Sequence, residues 1–224
     1  MPSATGDTGA EPPMRAWKFL ETGRIAPFGG HTWPAPSGDA PGAWVRFPGR
    51  EIFACRLDDL PWWIATELWE VEIEAPVRAL ETQIAAAAGR LLRRIDAWDG
   101  PALRAYGVAC AERARDLAIQ SLIRDGRAEE AQALGRARSM LELSRVARGY
   151  AGEGRVRLSA NLAGYVAETS MRASEGAAAA AANIAANAAV VALADPSAFD
   201  RERQWQARWI SEHAGLTAVP VAAV

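Results

Sequence analysis

Glu67 to Glu74 reads as one strand, and from Trp69 onwards apolar and polar positions alternate without a slip. Trp69, Val71 and Ile73 face one way; Leu68, Glu70, Glu72 and Glu74 face the other. Side chains of a strand point to opposite faces in turn, so this pattern predicts a strand with one buried and one wet face. The Trp69 face is expected to hold its sheet to the helices beyond Pro101. A second strand is predicted over Met14 to Leu20, with Trp17 and Phe19 opposite Lys18. Between the two lie nine Gly and Pro residues from Gly23 to Gly42, too dense a punctuation for a helix. His31 and Trp33 sit inside that loop, and the aromatic is expected to pin it to a core. Ala43 to Phe47 and Glu51 to Cys55 read as a hairpin around Pro48-Gly49. Leu57 to Pro61 is a corner in which Asp58 or Asp59 can cap a single helical turn.

Residues 78–98 carry two patterns. Leu80, Ile84, Ala88, Leu91, Ile95 and Trp98 follow helical spacing, whereas residues 89–95 read as a returning strand; the periodicity favours the helix. Asp99-Gly100-Pro101 is a helix-start signal. Helices are predicted over 101–124, 128–148, 156–173, 177–194 and 198–213, with stops at Asp125-Gly126, at Gly149 to Gly154 and at Asp195-Pro196. The fold class is therefore α+β: a small aromatic-rich antiparallel β segment followed by an Ala-rich multi-helix bundle. The expected division is a disordered tail 1–13, a β-rich domain 14–98, a helical bundle 99–215 and a flexible tail 216–224.

Composition narrows the function. Half of the 224 residues are hydrophobic and the net charge is −2, so no basic stripe points to nucleic acid. Lys18 is the only lysine among 25 Lys and Arg residues, a usage ascribed to coding bias. Residues 1–13 lack the basic start and apolar core of a signal peptide, which points to the cytoplasm. The alanine run 176–194 contains Asn183 and Asn187; it is too weakly apolar for a spanning helix, and no membrane association is expected.

Candidate chemistry is sparse. Glu70, Glu72 and Glu74 share a strand face about 7 Å apart, close enough to share a metal or perform acid/base work; the alternative is an ordinary solvated face paired with arginines. Arg90, Arg93 and Arg94 form a basic cluster able to take a phosphate or an acidic partner. His31 and His213 are the only histidines; with Cys55 and Cys110 they offer no zinc spacing, so no metal and no cofactor are expected. Cys55, ending a strand before Arg56, is the better candidate for a reactive thiol, and Cys110 reads as core. Small side chains all round the alanine helix allow close packing inside a bundle or at a subunit contact. Trp205 and Trp209, at i and i+4 among arginines, either seal the bundle or anchor a partner.

The alanine helix followed by Arg201-Glu202-Arg203-Gln204-Trp205-Gln206 resembles the end of bacterial helical immunity proteins, over residues 101–214. Asparagines stand here where that group carries recurrent histidines. The N-terminal part, with Trp17-Lys18-Phe19-Leu20, Pro27-Phe28-Gly29-Gly30, Trp33-Pro34 and Glu67 to Glu72, is similar to uncharacterised actinobacterial proteins, a resemblance that implies no activity. The expected function is a non-enzymatic protein-binding or self-assembling protein of immunity type. The alternative is a small-ligand binder or enzyme with a carboxylate/arginine site where the two segments meet, together with the loop around His31 and Trp33.

Overall fold

The computed structural model describes residues 12–150, 152–172 and 174–217. Almost all of the tail expected over 1–13, and most of that over 216–224, lies outside the described residues; Leu216 itself is buried against the helices. The alternation at Glu67 makes a strand, β4 (Glu67–Ile73), after β1 (Met14–Leu20), β2 (Val45–Arg46) and β3 (Ile52–Ala54). β5 (Arg78–Ala79), β6 (Ile84–Ala86) and β7 (Ala88–Arg94) follow. One antiparallel sheet has the order β1-β4-β7-β2 and the other β3-β6-β5. Trp17 and Cys55 exchange backbone hydrogen bonds of 3.0 and 2.6 Å, which joins the edge of the first sheet to β3 of the second.

Three expectations are corrected here. Residues 78–98 are not a helix but three strands. Ile84 to Ala86 and Ala88 to Leu91 are covered on both faces, so the alternation that marks a half-buried strand is lost and the alanines mimic a helix. The hairpin over 43–55 exists only as a turn: Phe47 bridges Arg50, but β2 then pairs with β7 and β3 with β6. Finally, Trp69, Val71 and Ile73 do not face the helices. They pack between the two sheets with Trp33, Ile52, Ile84 and Leu91. The helix-facing side is the opposite one, carried by Trp17, Phe19 and Leu68.

The helical half follows its caps. Asp99 accepts from Ala102 N at 2.8 Å to start α1 (Gly100–Arg124), with Pro101 in the first turn. The helix expected over 128–148 is two, α2 (Ala128–Arg136) and α3 (Met140–Gly149). Ala137 turns extended, Ser139 accepts from Glu142 N, and the Glu142 carboxylate reaches back to Arg138 N, a capping-box pattern written in Ser139-Met140-Leu141-Glu142. α4 (Gly154–Ser170), α5 (Glu175–Leu193) and α6 (Ala198–His213) complete the bundle. By length and composition α5 could cross a membrane, yet nine of its alanines are buried among α1, α4 and α6. One hydrophobic cluster runs through Trp17, Phe19, Leu68 and Trp98 into Tyr106, Ala160, Ala182 and Ile210, across residue 99.

Candidate functional site

The feature that invites a ligand is a pocket of about 400 Å³ beside β1 and β3. Its floor and walls are Trp33, Phe47, Phe53 and Trp63, with Phe28, 89% exposed, at the mouth. The walls are held from outside. Trp63 Nε1 donates to Thr82 O at 2.6 Å, and Phe28 meets the Trp63 ring edge-on at 6.0 Å. The loop that brings Trp33 is tied down twice. Trp33 N donates to Arg24 O, and Arg24 Nε donates back to Trp33 O, with Arg24 at φ 64° in the left-handed region. Gly23, at φ 82°, donates its N–H to the buried carboxylate of Glu67, whose other oxygen accepts from Trp69 Nε1. β4 therefore serves the pocket through its first glutamate.

Into this aromatic pocket comes Lys18. It lies on the β1 face shared with Ala16 and Leu20, between the sheets, because Trp17 and Phe19 take the helix face. Its Nζ donates to Phe53 O at 2.6 Å and sits 5.1 Å from the Trp33 ring centre. No carboxylate of the described residues forms an ion pair with it; the nearby Glu51 is engaged by Arg78. Loss of water lowers the Lys18 pKa to about 8. Cys55 lines the same pocket, and burial pushes its thiol up to about 12, so it stays protonated and is not poised as a thiolate. His31 stacks along Trp33 and meets Phe47 edge-on. His31 Nε2 and Trp33 Nε1 are buried with no protein partner. A buried donor or acceptor left alone costs about 1–3 kcal/mol, and a ligand can satisfy it.

The glutamate face has partners that its sequence neighbourhood did not reveal. Glu70, buried, accepts from Arg15 at 2.9 Å and from Arg93 at 2.6 Å. Glu72 pairs with Arg90 across β4 and β7, and Arg46 grips Glu74, holding that carboxyl below its ordinary pKa. Arg90 also lies over the Trp44 ring, and Arg94 reaches only Asp96 at 4.0 Å. So the candidate acids and candidate cations largely neutralise each other along one sheet. Trp205 and Trp209 pack on the core: Arg113 covers Trp205, and Trp209 lies between Tyr106 and a stacked His213.

Residues of the Arg201 to Gln206 run turn inward. Arg113 Nε donates to Glu202 at 2.6 Å, and burial raises the Glu202 pKa. Arg203 donates to Pro61 O, Gln206 Oε1 and Asn183 Oδ1 and lies 4.3 Å from the Trp62 ring centre. Gln206, fully buried, donates to Ala182 O. This network ties α5 and α6 to the corner Leu57–Trp62, and within it Glu202 Oε1 and Arg203 Nε are buried without a hydrogen-bond partner among the described residues.

A second cavity of about 430 Å³ lies among α1, α2, α3 and α4, where Arg127 and Glu130 pair with each other. Among the described residues no three His, Cys, Asp or Glu converge as a metal site. Of the residues that make the first pocket, His31 and Cys55 were candidates from the sequence. Lys18 and Glu67 were not, although a cation on the face of Ala16 and Leu20 was a visible signal. No family model, curated protein or solved structure matches the chain.

Proposed function

We propose that this chain is a binding protein for a small, flat, apolar molecule carrying a hydrogen-bond acceptor or negative group, taken up in the aromatic pocket. The observation that carries this is Lys18, a cation without a carboxylate in a pocket of rings. Lys18 is partly buried, and desolvating a cation costs stability unless it is paired, a cost that a ligand meeting it would offset. A pocket of 300–1,000 Å³ with a few convergent polar groups is typical of small-ligand sites. The test is thermal melting of the full chain with benzoate, cinnamate and indole-3-acetate, beside Lys18→Met. At least one acid should raise Tm in the parent chain and do so much less in the variant. No shift with any of them, or equal shifts in both chains, would sink the reading.

A protein-binding or self-associating role of the immunity type is the second reading. Leu158 and Tyr165 share a face of α4 at i and i+7 and, with Leu141 of α3, are about half exposed. Light scattering is its test: a mass above one chain supports self-association, and a strict monomer removes it.

A further inference from the structure

We propose that Lys18 is a carbonyl-capturing amine: it forms an imine with an aromatic or conjugated aldehyde seated in the aromatic pocket. The inference rests on the pocket being a small-molecule site and adds a covalent step to it. Lys18 is the only side-chain amine of the chain, so the chemistry has one address. It faces the pocket from an otherwise apolar strand face, with one N–H held by Phe53 O at 2.6 Å. The rings of Trp33, Phe47 and Trp63 form walls against which a conjugated aldehyde can stack.

Desolvation favours the neutral, nucleophilic form of the amine. The titratable and charged groups at the pocket are Cys55 and Glu51, Arg50 and His31. Glu51 is held by Arg78, and Cys55 favours the ammonium by less than desolvation opposes it. With its pKa lowered to about 8 by desolvation, roughly one amine in ten is neutral at pH 7, against fewer than about one in a thousand for an ordinary lysine.

In the reaction the amine lone pair attacks the carbonyl carbon, forming the C–N bond. The C=O π electrons move to oxygen, which gains a proton as nitrogen loses one. The resulting carbinolamine takes a second proton on oxygen and expels water as the nitrogen lone pair closes the C=N bond, and the nitrogen then gives up its remaining proton. Amine and aldehyde give imine and water, with no redox partner. His31 lines the same pocket and has a buried Nε2 free of protein partners, suited to moving those protons.

The test uses the full chain with cinnamaldehyde and sodium cyanoborohydride, read by intact mass and peptide mapping. The reduced adduct should form at Lys18 about tenfold faster than at the α-amine, because the pocket holds the aldehyde against the amine. Its rate should rise with pH and level off near 8. Cinnamyl alcohol, which fits but cannot form an imine, should suppress the Lys18 adduct and leave the α-amine adduct alone. Lys18→Arg, which keeps the charge, should lose the adduct, while binding of the alcohol to the parent chain is followed by quenching of tryptophan fluorescence. If the alcohol quenches fluorescence but Lys18 reacts no faster than the α-amine, the imine is overturned while the pocket stands. If neither alcohol nor aldehyde binds, the pocket reading falls, and the imine with it.

Discussion

Lys18 is the residue on which most turns, and its setting has a consequence for stability. Its folded pKa is lowered from 10.5 to about 8 by burial. Between those values the unfolded chain binds more protons than the folded one, so stability rises with pH through that window. Cys55 acts in the opposite sense: its thiol keeps its proton in the folded state up to about 12, while the unfolded thiol gives it up from about 9. Cys110 and Tyr106, also raised by burial, oppose in the same alkaline range. The window in which Lys18 dominates is therefore pH 8 to 9. Urea unfolding should show the parent chain gaining roughly 1 kcal/mol on Lys18→Met across it, the variant itself losing stability there through its two raised thiols. The variant should also be more stable at pH 7, by about 2 kcal/mol, since it removes a partly desolvated charge and keeps an apolar stem. The same change in both chains would show that Lys18 is not desolvated. Lys18 was conspicuous in the sequence as the lone lysine; that it faces rings and no acid was not, because Trp33, Phe53 and Trp63 come from three distant segments.

At the scale of elements, local signals and tertiary context divided the work unevenly. α6 lies where helical period put it, with one face on the core and one open. β1 lies where its aromatics put it although both its faces are covered, Trp17 and Phe19 by the helices and Ala16 and Leu20 by the second sheet. β6 and β7 did not, because burial on both faces erased the period. Gly89 marks the difference. Within β7 it is where β3 comes close. A Cβ there would overlap Ile52 Cδ1 and sit 3.1 Å from Glu72 O. Gly89→Ala should therefore destabilise the protein by about 1–3 kcal/mol in urea unfolding, and Ile52→Val on top of it should recover part of the loss by removing the overlapping methyl. An unchanged midpoint for Gly89→Ala would mean that the sheets do not approach there. The break between α2 and α3 had a legible cause in Ser139 and Glu142, since a capping box is a local sequence feature, but helical period on both sides hid it.

Over the whole molecule, two features bind the β segment to the bundle. One is a line of aromatic contacts from Phe19 through Trp98 and Tyr106 to Trp209, with ring centres 5.3 to 6.0 Å apart. The other is the buried hub at Arg203, whose guanidinium serves Pro61, Asn183 and Gln206. Arg203→Ala removes one donor group from the buried acceptors of Pro61 and Gln206 and from Asn183 at the surface, and uncovers Trp62. It should cost about 2–4 kcal/mol in chemical unfolding and change the near-ultraviolet signal of the tryptophans. A loss below about 1 kcal/mol would show that the hub does not couple the two segments. The sequence by itself determined the α+β class, the order of most elements and their caps, because periodicity and capping are properties of one segment and its own hydrogen bonds. Only the tertiary structure decided which strand pairs with which, which face of β4 meets the helices, that Glu70, Glu72 and Glu74 are claimed by arginines, and that Lys18, His31 and Cys55 share a pocket. Those outcomes depend on contacts between residues tens of positions apart, and a hydrophobic pattern says which side chains are buried without saying against what.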